Sequence, residues 1–170
     1  EPLDYALFDA AWQQVVQRYE AVRASFLWNT GGELLQVIHR DTLVQVKLLD
    51  LSDLPLEQAE PHILELLREE REAGFDLGRE PPIRFQLIKL ADHSHRFVMS
   101  NHHILIDAWC RSILMGDFLA IYQALGDGRE ARLDNPPRYR DFIAWLQRQG
   151  LEQTRGYWRN LLAGFERPSH

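Results

Sequence analysis

The sequence predicts an α+β fold, a layered sandwich with a mixed β-sheet and flanking helices, and two observations carry it. Segments of alternating apolar and polar residues are interspersed with segments of helical spacing along the whole chain. A turn at Ala91-Asp92-His93-Ser94 joins two apolar runs, residues 83–90 and 95–99, which makes a hairpin and hence an antiparallel pair. A doubly wound parallel sheet has no place for that hairpin, so layered packing fits better.

The elements follow in order. Phe8, Trp12, Val15, Tyr19 and Val22 recur at helical spacing, with Asp4 placed to cap the start. Ala24-Ser25-Phe26-Leu27-Trp28 reads as a short strand, and the Asn29-Thr30-Gly31-Gly32 turn leads into a second at 34–38. Residues 43–49 alternate like a strand. Residues 57–72 form a helix facing the core with Ile63, Leu64 and Leu67, and Pro61 near its start is tolerable. After the hairpin, a long helix runs over 108–125 with Gly126 as its stop. Helices over 138–149 and 151–163 complete the chain, which has neither repeats nor low-complexity stretches.

The 170 residues suffice for one domain with a real core, and 45% hydrophobic content describes an ordinary globular protein. A net charge of -6 gives no clustered basic face for nucleic acid. The single cysteine, Cys110, rules out an internal disulfide framework and suits a reducing compartment. Arg111 and Asp117 interrupt the best candidate for a membrane span, and Glu1-Pro2-Leu3-Asp4 has no signal-peptide character. A cytoplasmic location is the default. The missing initiator methionine and the linker-like Glu166-Arg167-Pro168-Ser169-His170 suggest a piece of a longer polypeptide.

The most informative run is Ser100-Asn101-His102-His103-Ile104-Leu105-Ile106-Asp107-Ala108-Trp109, at a junction between strand and helix. Histidine changes charge near neutral pH and can pass a proton at working pH. Four readings compete. Alternation on a strand sends one histidine into a cleft and packs the other into the core. A metal site lacks further Cys or carboxylate ligands, and neighbouring histidines do not readily converge on one ion. Two satisfied histidines and a helix cap at Asp107 need no catalysis at all. Acyl transfer would use the cleft histidine as base and Asp107 as organiser. With no nucleophile elbow in the sequence, that means direct transfer between two bound substrates. Cys110 reads as a partly buried, inert thiol.

These residues resemble the condensation domains of nonribosomal peptide synthetases, whose hallmark His-His-x-x-x-Asp-Gly stands here as His102-His103-Ile104-Leu105-Ile106-Asp107-Ala108. Flanking motifs fall in the family's order. Arg18-Tyr19-Glu20-Ala21-Val22-Arg23-Ala24-Ser25-Phe26, Phe75-Asp76-Leu77 with Pro82-Ile83-Arg84, Tyr139-Arg140-Asp141-Phe142-Ile143-Ala144-Trp145, and Tyr157-Trp158 each have a counterpart. The resemblance covers nearly the whole chain.

It implies a lobe resembling chloramphenicol acetyltransferase, with residues 1–170 as a single domain, the N-terminal lobe, and a C-terminal lobe absent. It implies amide formation between an upstream acyl or peptidyl thioester and the amine of a downstream amino acid. Both substrates are tethered through phosphopantetheine on peptidyl carrier domains, with an adenylation domain adjacent and no cofactor or metal bound by the lobe itself. His103 is the implied catalytic residue, either deprotonating the amine or steadying the charged intermediate. His102 and Asp107 are implied supports of the site, with Arg23 as the candidate partner of Asp107. Ala108 and Trp109 are candidates for the substrate tunnel. Phe75, Phe142 and Trp145 read as core by their apolar character.

Ala108 in place of the family's glycine and Cys110 in place of its serine are the departures. His102-His103 argues against heterocyclisation, and the position of Trp109 argues against epimerisation. Two rivals remain: a non-catalytic lobe that docks carrier domains, and a freestanding acyltransferase using coenzyme A. Without its second lobe, the fragment alone is expected to be inactive.

Overall fold

The computed structural model describes residues 3–28 and 31–165. Asn29 and Thr30 of the expected turn, Glu1-Pro2 and the linker-like 166–170 lie outside the described residues. Two compact units emerge, residues 1–136 and 137–170.

The first unit opens with α1 (Tyr5–Arg18), whose Asp4 cap accepts from the Leu7 N–H. The helix stops earlier than the apolar spacing suggests. Tyr19 leaves it in an extended conformation, Val22 lies in a 3₁₀ turn (Glu20–Arg23), and β1 (Ala24–Trp28) begins at once. A tertiary contact explains the early stop. Asp117 accepts from Arg18 Nε and from the Tyr19 hydroxyl at 2.7 Å each, and Arg18 also donates to the Asp134 carbonyl.

β1 pairs antiparallel with β2 (Leu34–Ile38) as a separate two-stranded sheet. The main sheet has three strands in the order β3 (Val46–Asp50), β4 (Ile83–Ala91), β5 (Ser94–Asn101). β3 runs parallel to β4 and β5 antiparallel to it, the mixed sheet expected. β3 starts three residues later than the alternation implied, because its register is fixed by β4, Val46 opposite Phe85.

Period-2 alternation divides each strand between two layers. Ile83, Phe85 and Leu87 of β4 and Phe97 and Met99 of β5 face α1 and α3 (Ala108–Gly126), where Phe8, Trp12, Leu114 and Phe118 complete the larger core. Ile88 and Leu90 with Val98 face α2 (Leu56–Ala73) and pack on Ala59 and Ile63. The sheet is therefore sandwiched between one helix and two, an α+β layered fold.

α2 binds the edge strand by matching spacings. Glu60 takes Arg96 through two bonds of 2.6 and 2.9 Å, and Glu70 accepts from Ser100 Oγ at 2.8 Å. Pro61 lies within the helix. Gly74 ends α2 at φ 60, a conformation that favours glycine, and its carbonyl accepts from Arg84. The Arg84 guanidinium lies 4.3 Å from the centre of the Phe75 ring, and the Phe26 N–H donates to the Leu77 carbonyl. Phe75-Asp76-Leu77 thus links the end of α2 to β1.

In the second unit, α4 (Tyr139–Arg148) and α5 (Leu151–Leu161) are both amphipathic. Phe142 and Trp145 stack on each other and are each 50% exposed, so the expectation that they are core residues is corrected here.

Candidate functional site

β5 ends at Asn101, and the histidines occupy the turn that follows. The ladder continues one residue further, since the His102 N–H donates to the Pro82 carbonyl at 3.0 Å. The chain then folds back: Leu105 N–H donates to the His102 carbonyl, and Ile106 is buried as the anchor of the turn. Strand alternation therefore does not sort the two histidines into core and cleft. Both are exposed, which corrects the expectation that one is packed inside.

His102 Nδ1 accepts from the Ile104 N–H at 3.0 Å, so its proton resides on Nε2. Among the described residues the His103 imidazole makes no hydrogen bond. Asp107 caps α3, its Oδ1 accepting from the Cys110 N–H at 3.0 Å. That backbone bond, with the Cys110 side chain adding to it, holds the Asp107 carboxyl below the usual carboxylate range. Burial pushes the Cys110 thiol up, against the opposing pull of the backbone bond.

His102, His103 and Asp107 line one cleft of ≈ 540 Å³ between the end of α2 and the start of α3. Phe75 and Gly74 form its α2 side, and Arg71 and Arg111 stand on its walls. Ala108 lines a neighbouring hollow with Phe97, Met99 and Met115. It is the first helical residue of α3, and no non-glycine residue among those described has positive φ, so the backbone does not demand glycine there. Trp109 is 83% exposed and lines neither cavity.

Arg23 is not part of the group. Its guanidinium donates to the His39 and Arg40 carbonyls at 2.5 and 3.0 Å, tying the 3₁₀ turn to the chain after β2. The expected pairing with Asp107 is not formed: the cap bond takes Asp107 Oδ1, and Arg23 Nη1 is held by the His39 and Arg40 carbonyls, while its buried Nε has no acceptor among the described residues.

One site residue escaped the sequence reading. Glu70 lines the cleft, half-buried, with Oε2 held by Ser100 and Oε1 closed to water without a donor among the described residues. A signal was present: Glu70 continues the Ile63, Leu67 stripe at helical spacing, where a carboxylate is out of place. No group of three metal-ligating side chains lies together among the described residues. No described helix is long and apolar enough to cross a membrane.

Known proteins are similar to this chain in sequence and in fold. Bacitracin synthase 3 of Bacillus licheniformis is 35% identical over 164 residues, 96% of this chain but 3% of that protein. The first condensation domain of the calcium-dependent antibiotic synthetase has the same fold, with a TM-score of 0.79 at 22% identity over 99% of this chain and 41% of that one. The X-domain in a complex with OxyB from teicoplanin biosynthesis matches with a TM-score of 0.82 at 27% identity, covering 99% of this chain and 37% of that one. The family model of the condensation domain matches residues 1–170, and the chain belongs to that family.

Proposed function

We propose that this chain contributes the histidine-bearing lobe of a domain that forms amide bonds between carrier-bound substrates. The observation that supports it is the His103 imidazole, exposed and without a hydrogen-bond partner among the described residues, on a cleft bounded by two helices and a strand end. The acceptor amine attacks the donor thioester carbonyl; a C–N bond forms, the C–S bond breaks, and the thiol leaves on the upstream carrier. A free α-amine with a pKa near 8 is partly neutral at working pH, so His103 has only to take the remaining proton as the bond forms. Holding two tethered substrates in register supplies the larger share of the acceleration.

The chain spans a few per cent of the curated relative's length and under half of the solved domains. The second lobe, the carrier domains, the adjacent adenylation domain, the phosphopantetheine tethers and a cytoplasmic setting therefore belong to this proposal. His102, Asp107 and the segment from Ala108 support the site in it, and Arg23 takes a purely architectural part. The similarity to the X-domain, which was solved as a complex with another protein, favours a second reading, a docking lobe without chemistry.

The test uses the full polypeptide that carries this chain, with upstream and downstream carriers loaded and a single turnover followed by mass spectrometry. Amide on the downstream carrier is the expected product. Silence with well-loaded carriers of several identities would favour the docking lobe, and amide from free acyl-coenzyme A alone would favour the freestanding acyltransferase.

A further inference from the structure

We propose that Glu70 is the carboxylate partner of the histidine turn, a positioning residue whose free oxygen takes the Nε2–H of His102. The inference extends the amide-forming reading and rests on it only for the kinetic consequence.

Three observations meet here. The first is register. Arg96, Val98 and Ser100 share the α2-facing side of β5, and the ladder continues through the His102 N–H, so His102 follows them on that side. The second is an orphan acceptor. Glu70 Oε1 is closed to water and has no donor among the described residues, an arrangement that costs free energy unless something fills it. The third is an available donor, on an exposed ring. The Ile104 N–H on Nδ1 leaves the His102 proton on Nε2, which has no partner among the described residues. Both groups line the same cleft.

The other polar groups nearby are held elsewhere or are of the wrong kind. Asp107 Oδ1 caps α3, the Asn101 amide donates to the His102 and Ile106 carbonyls, and Arg23 Nη1 donates to the His39 and Arg40 carbonyls. Arg71 and Arg111 are cations and offer no acceptor. What sets Glu70 apart on this cleft is a fixed anchor, Ser100, on one oxygen and a buried second oxygen that has no donor among the described residues. The bridge Ser100–Glu70–His102 would clamp the first residue after β5 to α2. His103 is then presented to the cleft from a turn gripped on one side by α2 and on the other by the cap of α3.

The test has a spectroscopic arm and a kinetic arm. In the full 170-residue chain with ¹⁵N-labelled histidine, a slowly exchanging Nε2–H resonance is expected, assigned to His102 by its loss in His102→Gln. It disappears in Glu70→Ala and persists in Ser100→Ala, which keeps the carboxylate. In the full polypeptide, Glu70→Ala slows single-turnover condensation about tenfold, Glu70→Gln restores part of the rate, and Glu70→Ala has no further effect on a His102→Gln background. A His102 Nε2–H that exchanges freely in the parent overturns the proposal, even if the variants fail to fold. So do equal losses from Glu70→Ala in both backgrounds, which would mean a merely structural role through Ser100. Failure of the amide-forming reading leaves a different trace: no amide from the parent, with the Glu70-dependent resonance intact.

Discussion

Replacing Trp12 tests whether the sandwich is held by the layer between α1, the sheet and α3. The indole is fully buried and stacked among three rings, with centroids 4.3 Å from Phe85, 4.6 Å from Phe118 and 5.2 Å from Phe97. Truncation to alanine removes the element that all three share, so Trp12→Ala should cost about 3–5 kcal/mol. Trp12→Phe behaves differently. The indole Nε1–H is buried with no acceptor among the described residues, so removing it relieves an unpaired donor worth about 1–3 kcal/mol, offsetting much of the lost packing. The expected net cost of Trp12→Phe is about 0–2 kcal/mol. Urea unfolding followed by far-UV circular dichroism measures both, with an unchanged m-value as the check that only stability has moved. In thermal terms the alanine variant falls by roughly 10 °C and the phenylalanine variant by less than about 5 °C. Equal losses for the two would mean that the N–H has a partner and that the offset does not exist. A loss below about 1 kcal/mol for alanine would remove Trp12 from the centre of the core.

Asp107→Ala should lower stability above the normal carboxylate range, and the gap from the parent should close as pH falls. The sign follows from the depressed carboxyl: its contribution is present above the unfolded value and lost as pH falls through the folded one, so urea midpoints that differ equally at acid and neutral pH would contradict it. Asp117→Asn weakens the charged acceptor shared by Arg18 and Tyr19 and should cost about 2 kcal/mol in the same assay; no change in midpoint would mean that the end of α1 is held by packing alone. Cys110, whose thiol is pushed up by burial, should react with iodoacetamide at pH 8 more slowly than free cysteine. A rate matching or exceeding that of free cysteine would place the thiol in the open.

The sequence made the local elements legible where local forces decide them. β1, β2 and α3 fall where alternation, turn residues and the Asp107 cap put them, because each of those signals acts within a few residues. The misses share a cause at longer range. α1 stops at Arg18 because of Asp117, 99 positions on, and β3 begins at Val46 because Phe85 sets its register. The histidine pair was legible as chemistry but not as geometry. Alternation holds only while the ladder lasts, and the ladder ends at His102. The resemblance points Arg23 to a distant partner, whereas carbonyls sixteen and seventeen positions away take its Nη1. Glu70 showed the reverse: a charge on the apolar stripe of α2, visible in the sequence, whose meaning appears only once Ser100 is placed against it.

The exposed imidazole of His103, without a hydrogen-bond partner among the described residues, is proposed to serve amide-bond chemistry. Its most direct test is single-turnover condensation in the full polypeptide with both carriers loaded, comparing the parent with His103→Ala, and with circular dichroism confirming the fold. Dipeptidyl-carrier is expected from the parent, with a loss of at least about a hundredfold in rate for the variant. A folded His103→Ala protein that condenses at the parent's rate would contradict that role, leaving substrate positioning as the whole of the catalysis.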